Sequence, residues 1–126
     1  MGFDVFGRTR RELFRHGARA LFEAITPQNA VAMTEERFLT IEGQDISDLW
    51  INTLRELLYL FSGDGFLVKE VDIPKLGPKR LSLVAKGEPY DPEKHEIITE
   101  IKAVTYHRAE VRKTARGWTG RFIVDV

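Results

Sequence analysis

Cysteine is absent from the 126 residues, which removes disulfides, thiolate zinc sites and cysteine nucleophiles together. Long apolar runs are missing as well. The densest, LLYLF at residues 57 to 61, falls far below the ~20 residues that a membrane span needs, and MGFDVFGRTRR at the start has no signal-peptide stretch. Nor is there an excess of one charge: 19 Lys and Arg stand against 19 Asp and Glu, so no global field draws the chain onto nucleic acid or a membrane. Gly-rich phosphate loops, zinc-ligand spacings and a nucleophile elbow are not found, which lowers the weight of an enzyme. The expectation is a soluble, cytoplasmic protein with a single domain, residues 1–126, long enough to bury a core without covalent staples.

What the chain does contain is periodicity. Met1 to Phe6 alternates as a short strand, Gly7 breaks it, and Thr9 opens a T-x-x-E capping box with Glu12. Leu13, Phe14, Gly17, Ala18, Leu21, Ala24 and Ile25 share one side of the helix that follows, and Thr26-Pro27 ends it. Arg37 to Glu42 reads as a strand, Asp45 caps a second helix running to about Ser62, and Gly63 and Gly65 stop that helix. Its apolar residues cover half the wheel, predicting the more buried of the two. Residues 66–73, 80–86, 100–111 and 118–126 favour strands, with KLGPK, GEPYDPEKH and RKTARG as the turns and loops between them. The pattern predicts an α+β fold with two helices packed on one face of an antiparallel or mixed β-sheet.

Candidate chemistry is sparse. His16, His95 and His107 have no ligand partner at local spacing and read as surface or satisfied structural residues. Arg8, Arg10, Arg11, Arg15 and Arg19 crowd the first helix, but without interleaved aromatics they read as a solvated face rather than a phosphate site. Lys102 shares a strand face with Val104 and Tyr106, where a lysine ordinarily snorkels to water. Asp125 shares a face with Ile123 and lies one residue from the terminal carboxylate of Val126, an oxygen-rich end suited to a hard cation such as calcium. Calcium takes about six to eight oxygens, so these two residues need further ligands, and an exposed strand end is the default reading. A metal-dependent hydrolase using Asp125 and His107 is a competing possibility, with no register to support it.

Four segments in order, GRTRRELFRHGARALFEAI, LWINTLRELLYLFSGDGFL, AKGEPYDPEKHEIITEIKAVTYH and GWTGRFIVDV, resemble the archease family over nearly the whole chain. The resemblance implies an α+β protein elaborated from a strand, helix, strand, strand module. It implies a non-catalytic activator of a GTP-dependent RNA ligase of the RtcB type in tRNA splicing, promoting ligase guanylylation and multiple turnover, with tRNA met only through the ligase. It also implies metal ligation, commonly of calcium, by Asp125 and the C-terminal Val126, and a role in activation for Lys102. A general chaperone or adaptor for RNA-processing enzymes is the alternative. Archeases usually open with a strand reading roughly H-T-A-D-hydrophobic-Gly, whose aspartate joins the C-terminal one at the metal. Met1-Gly2 aligns with the end of that box, so calcium binding by residues 1–126 alone is expected to be weak or absent.

Overall fold

The computed structural model describes residues 1–126. Its elements run β1 (Gly2–Gly7), α1 (Arg10–Ile25), β2 (Glu35–Glu42), α2 (Ile46–Ser62), β3 (Phe66–Leu76), β4 (Arg80–Pro89), β5 (Ala103–Thr114) and β6 (Gly117–Asp125), with a 3-10 turn at Gln28–Ala30. The expected α+β class is observed and every strand pair is antiparallel. The strands divide between two sheets, β1-β6-β5 and β2-β4-β3. The first is built from the two ends of the chain, and the second from its middle. α1 packs on β1 and β3, and α2 on β5 and β3, so the helices join the two sheets. No helix is long and apolar enough to cross a membrane.

Local sequence signals account for the helix ends. Thr9 Oγ1 accepts from Glu12 N at 3.0 Å, and Glu12 Oε1 accepts from Arg8 N at 3.2 Å, so the capping box closes one residue upstream of its usual return bond. Asp45 Oδ1 accepts from Asp48 N at 2.8 Å to start α2. Of the two glycines after α2, only Gly65 adopts the left-handed conformation, with φ 66°. Gly63 stays in the right-handed region, and a Cβ there would come within 2.8 Å of the Tyr59 ring. On α1 the buried face includes Phe22 whereas Ala24 is half-buried, because a helix wedged between two sheets hides a wider arc than a single stripe.

Two strands differ from expectation. β4 continues through Gly87, Glu88 and Pro89, because Gly87 lets the β3 backbone approach: a Cβ there would lie 1.8 Å from Leu67 O. β5 starts only at Ala103, extends to Thr114, and shifts register between Thr105 and Glu110. The unpaired residues of that bulge include Arg108, at φ 54°.

The fold converges on Trp50 of α2. Its indole N–H donates to Arg121 O at 3.0 Å, and its ring meets Phe14 of α1 and Phe122 of β6 edge-on, with centroids 5.3 and 5.9 Å apart. Gly17 and Gly120 leave room for it: a Cβ would sit 2.4 Å from Trp50 Cη2 at the first and 2.8 Å from Cζ2 at the second. Gly17→Ala is therefore expected to destabilise the protein by about 1–3 kcal/mol through overpacking, seen as a lower urea midpoint. An unchanged midpoint would mean that the indole can move aside and does not set the spacing of α1 from β6.

Candidate functional site at the C-terminal rim

Antiparallel pairing of β5 with β6 sets Ala103 opposite Asp125 and Val104 opposite Val124. Lys102 N donates to Asp125 O at 2.8 Å, so the two residues singled out in the sequence meet at one end of the sheet. Asp125 follows Ile123 on the solvent face, while Phe122 and Val124 are buried on the other. Met1 lies on the opposite flank of β6: its ammonium donates to Val124 O at 3.3 Å, and Val124 N donates to Met1 O at 2.8 Å. The rim therefore carries the Lys102 ammonium and the Asp125 carboxylate, both exposed. No salt bridge engages Lys102 or Asp125.

Lys102 also stands at the junction of two grooves beside α2. One, of about 590 Å³, is walled by Phe61, Tyr90, Ile97, Ile101, Glu100 and Lys102. The other, of about 250 Å³, runs along Arg55, Leu58, Tyr59 and Val104. Arg55 Nε donates to Val104 O at 2.8 Å and its guanidinium lies 4.0 Å from the Tyr106 ring, so that cation is already committed to the fold. Lys102 is the cation of this groove without a salt bridge, on a wall that is half apolar and also carries Glu100, an arrangement suited to a macromolecular partner with an anionic group to place there.

The wall of the larger groove is the segment between Pro89 and Ala103 that carries the chain from one sheet to the other, and Glu88 pins it. Its carboxylate accepts from Ala32 N at 2.7 Å, from Lys94 Nζ at 2.8 and 2.9 Å, and from His95 Nε2 at 3.0 Å. The His95 tautomer follows from its other bond: Nδ1 accepts from Asp91 N at 2.9 Å, so Nε2 carries the proton given to Glu88. Tyr90 stacks on the His95 ring and meets Phe61 edge-on, each with centroids about 6 Å apart. The Lys94 ammonium, then the Ala32 amide, hold the Glu88 carboxyl down at about 2, against burial that pushes the other way and with His95 adding to the lowering. Sequence reading missed Glu88, because it placed GEPYDPEKH in a loop, where a glutamate reads as solvated.

The other candidates separate. His95 is a buried, satisfied structural histidine, and His16 Nδ1–H donates to Phe6 O at 2.7 Å. His107 is exposed in the β5 bulge, displaced along the strand from the Ala103–Asp125 pair, so the register gives a hydrolase using His107 and Asp125 no common site. At the rim itself, no group of three or more His, Cys, Asp or Glu side chains is close enough to hold a metal. Asp125 and Val126 supply only part of the oxygen set that calcium takes. These residues by themselves do not fit a calcium site. With Gly2 opposite Ile123 and Met1 bonded to Val124, the next position along β1 faces Asp125.

Comparison with known proteins gives a consistent result. Residues 1–126 match the profile of the Archease protein family (MTH1598/TM1083). The chain is 36% identical to the protein archease of Methanosarcina mazei over 128 residues, covering 98% of this chain and 88% of that one. It is 35% identical to the protein archease of Methanopyrus kandleri, covering 98% and 91%. The solution structure of Methanobacterium thermoautotrophicum protein 1598 superposes with a TM-score of 0.81 at 32% identity, over 99% of this chain and 91% of that one. The Thermotoga maritima archease, described as a possible chaperone, superposes with a TM-score of 0.72 over 100% and 90%, and at 20% identity this likeness speaks to the fold alone.

The anchoring of Glu88 has a pH signature. Because its folded value is depressed to about 2 from an ordinary 4.5, the stability it contributes is present above about 4.5 and is lost as the pH falls toward 2. Glu88→Gln is expected to cost about 2–3 kcal/mol at pH 7, with the gap to the parent narrowing between pH 4.5 and 2 in urea titrations. A gap that is constant across that window would mean that the carboxylate charge does not hold the segment.

Proposed function

The chain belongs to the archease family, and from that premise we propose that it is a non-catalytic activator of a GTP-dependent, tRNA-splicing RNA ligase of the RtcB type, promoting ligase guanylylation and multiple turnover in the cytoplasm. The observation that carries this reading is the rim itself: the Lys102 ammonium, without a salt bridge, at the mouth of the larger groove, its backbone N–H bonded to Asp125 O. An exposed rim of this kind suits insertion into the mouth of another protein's active site. There, the Lys102 ammonium offsets charge on the nucleotide's phosphates, and the Asp125 carboxylate accepts from a cationic or N–H group of the ligase. Fixed charges aimed at a phosphoryl group are what nucleotidyl transfer draws on. The chain supplies no nucleophile pattern of its own, so the covalent chemistry belongs to the ligase.

The alternative, a general chaperone or adaptor, draws support from the exposed Tyr59 and Ile98 near the same grooves, 62% and 58% accessible. Suppression of aggregation of unrelated proteins, with the ligase unaffected, would favour it. The direct test is GTP-dependent guanylylation of the ligase in a single turnover. Lys102→Ala and Asp125→Ala are each expected to lower the stimulation about tenfold, equivalent to ~1.4 kcal/mol of barrier, while the ligase's unstimulated rate stays the same. Full stimulation by both variants would sink the proposal.

No step here is routed through calcium. Calorimetric titration of residues 1–126 with calcium is expected to show no saturable binding below the millimolar range. Extending the chain by His-Thr-Ala-Asp ahead of Met1, which sets an aspartate opposite Asp125, is expected to create binding that Asp125→Ala removes. Micromolar binding by residues 1–126 without the extension would contradict this.

A further inference from the structure

The balanced charge of the chain conceals a separation. Residues 1–22 and 103–126 hold ten Lys and Arg against four Asp and Glu, whereas residues 23–102 hold nine against fifteen. Because the two terminal segments build the β1-β6-β5 sheet together with most of α1, the fold gathers the positive excess onto one half of the molecule. Within that half the cations concentrate at the turn between β5 and β6. Gly117 in this turn packs so closely on Gly7 and Arg8 that a Cβ would lie 2.5 Å from Gly7 O and 3.0 Å from Arg8 Cα. The hairpin thereby brings Arg116 and, on its inner face, Lys113 beside Arg8 and Arg10, while Arg112 points to the outer face with Thr119. Trp118, paired with Lys113 across the hairpin, holds the Arg10 guanidinium at 5.9 Å and the Lys113 ammonium at 6.0 Å from its ring.

None of these five cations has a salt-bridge partner. Of the nearby acids, Glu12 accepts from Arg8 N and Asp4 pairs with Arg121 at 2.8 Å, while Glu110, opposite Arg121, lines the outer-face pocket that Arg112 also lines. Two cations flanking an indole, with three more around the same turn and none of the five in a salt bridge, form a surface for a polyphosphate chain rather than for a single anion. Sequence reading treated the arginines of α1 as a solvated face with no aromatic. The missing aromatic, Trp118, comes from the start of the last strand, and three more cations come from RKTARG just before it, which reads as a plain loop.

We propose that the β5–β6 hairpin tip, with Arg8 and Arg10, is a direct RNA-binding surface that grips the phosphate backbone without reading sequence. β6 spans nine residues between this tip and Asp125, which at about 3.3 Å per residue puts the tip roughly 25–30 Å from the rim. The two surfaces can therefore be occupied at once, and this one does not depend on the ligase reading.

The test uses the full chain and a fluorescein-labelled 20-nucleotide single-stranded RNA, with no ligase present, so its failure leaves the rim untouched. Fluorescence anisotropy is expected to show binding at 50 mM salt, weakening about 100-fold by 200 mM, as a slope near −0.7 per phosphate contact for five contacts requires. The triple change Arg112→Glu, Lys113→Glu and Arg116→Glu is expected to weaken binding at least tenfold and flatten the salt slope. The charge-matched triple Lys75→Glu, Lys79→Glu and Arg80→Glu on the acidic half is expected to stay within twofold of the parent. If the charge reversal unfolds the hairpin, glutamine at the same three positions carries the same expectation. Absence of binding at 50 mM salt, or equal losses in the two triples, overturns the proposal. So does a hairpin triple that binds RNA normally but no longer binds the ligase, which would make the tip a protein contact.

Discussion

Trp50 stands where α1, α2 and β6 meet, and the placement of everything on the β1-β6-β5 sheet depends on it. That sheet is assembled from the two ends of the chain, with no disulfide to join them. Its attachment to the rest runs through side chains on its inner face, where Phe122 and Gly120 receive the indole and Arg121 O receives its N–H. The glycine at position 17 lets α1 come down on the same ring. A buried aromatic of this size contributes several kcal/mol by its area alone, and here it also fixes the height of one layer over another. The rim with Lys102 and Asp125 and the hairpin tip with its cations are opposite ends of the sheet so positioned.

The second constraint is electrostatic and local. The segment from Pro89 to Ala103 has no regular secondary structure, yet it must deliver Lys102 to the end of β5. It is held at Glu88 by three donors, at Thr26, whose hydroxyl donates to Glu96 O at 2.7 Å, and at Ile25, whose carbonyl accepts from Ile98 N at 2.8 Å. The GEPYDPEKH block, the most distinctive stretch of the sequence, is thus a scaffold: it carries no reacting group but shapes the groove beside the unpaired Lys102 ammonium. This division between holding and acting explains why the residues that look most specific lie next to the rim instead of on it.

How much of this the sequence discloses depends on the range of the interaction. Caps act over three or four residues, so Thr9, Glu12 and Asp45 announced both helices, and SGDG announced the end of the second. Alternation assigned Phe122, Val124 and Asp125 to their faces correctly. It could not say which strand lies beside which, and so a single sheet was expected where the chain ends pair with each other and close off a second one. The meeting of Lys102 with Asp125 was invisible for the same reason, since register is a pairwise property. Glu88 was missed because its partners come from Ala32, Lys94 and His95, two of them in a loop. The basic surface was half seen: its arginines lie together on α1, but its tryptophan comes from more than a hundred residues later in the chain.

In the functions proposed above, the two charged ends of the β1-β6-β5 sheet, one for a ligase's nucleotide and one for RNA, act by presenting groups to another catalyst. The measurement that addresses this most directly is ligation of RNA halves in large excess over an RtcB-type ligase, followed over time with and without this protein. The expected result is product limited to about one equivalent of ligase in its absence and many equivalents in its presence, with no joining by this protein alone. Equal turnover by the unassisted ligase, or joining of the halves without any ligase, would contradict it.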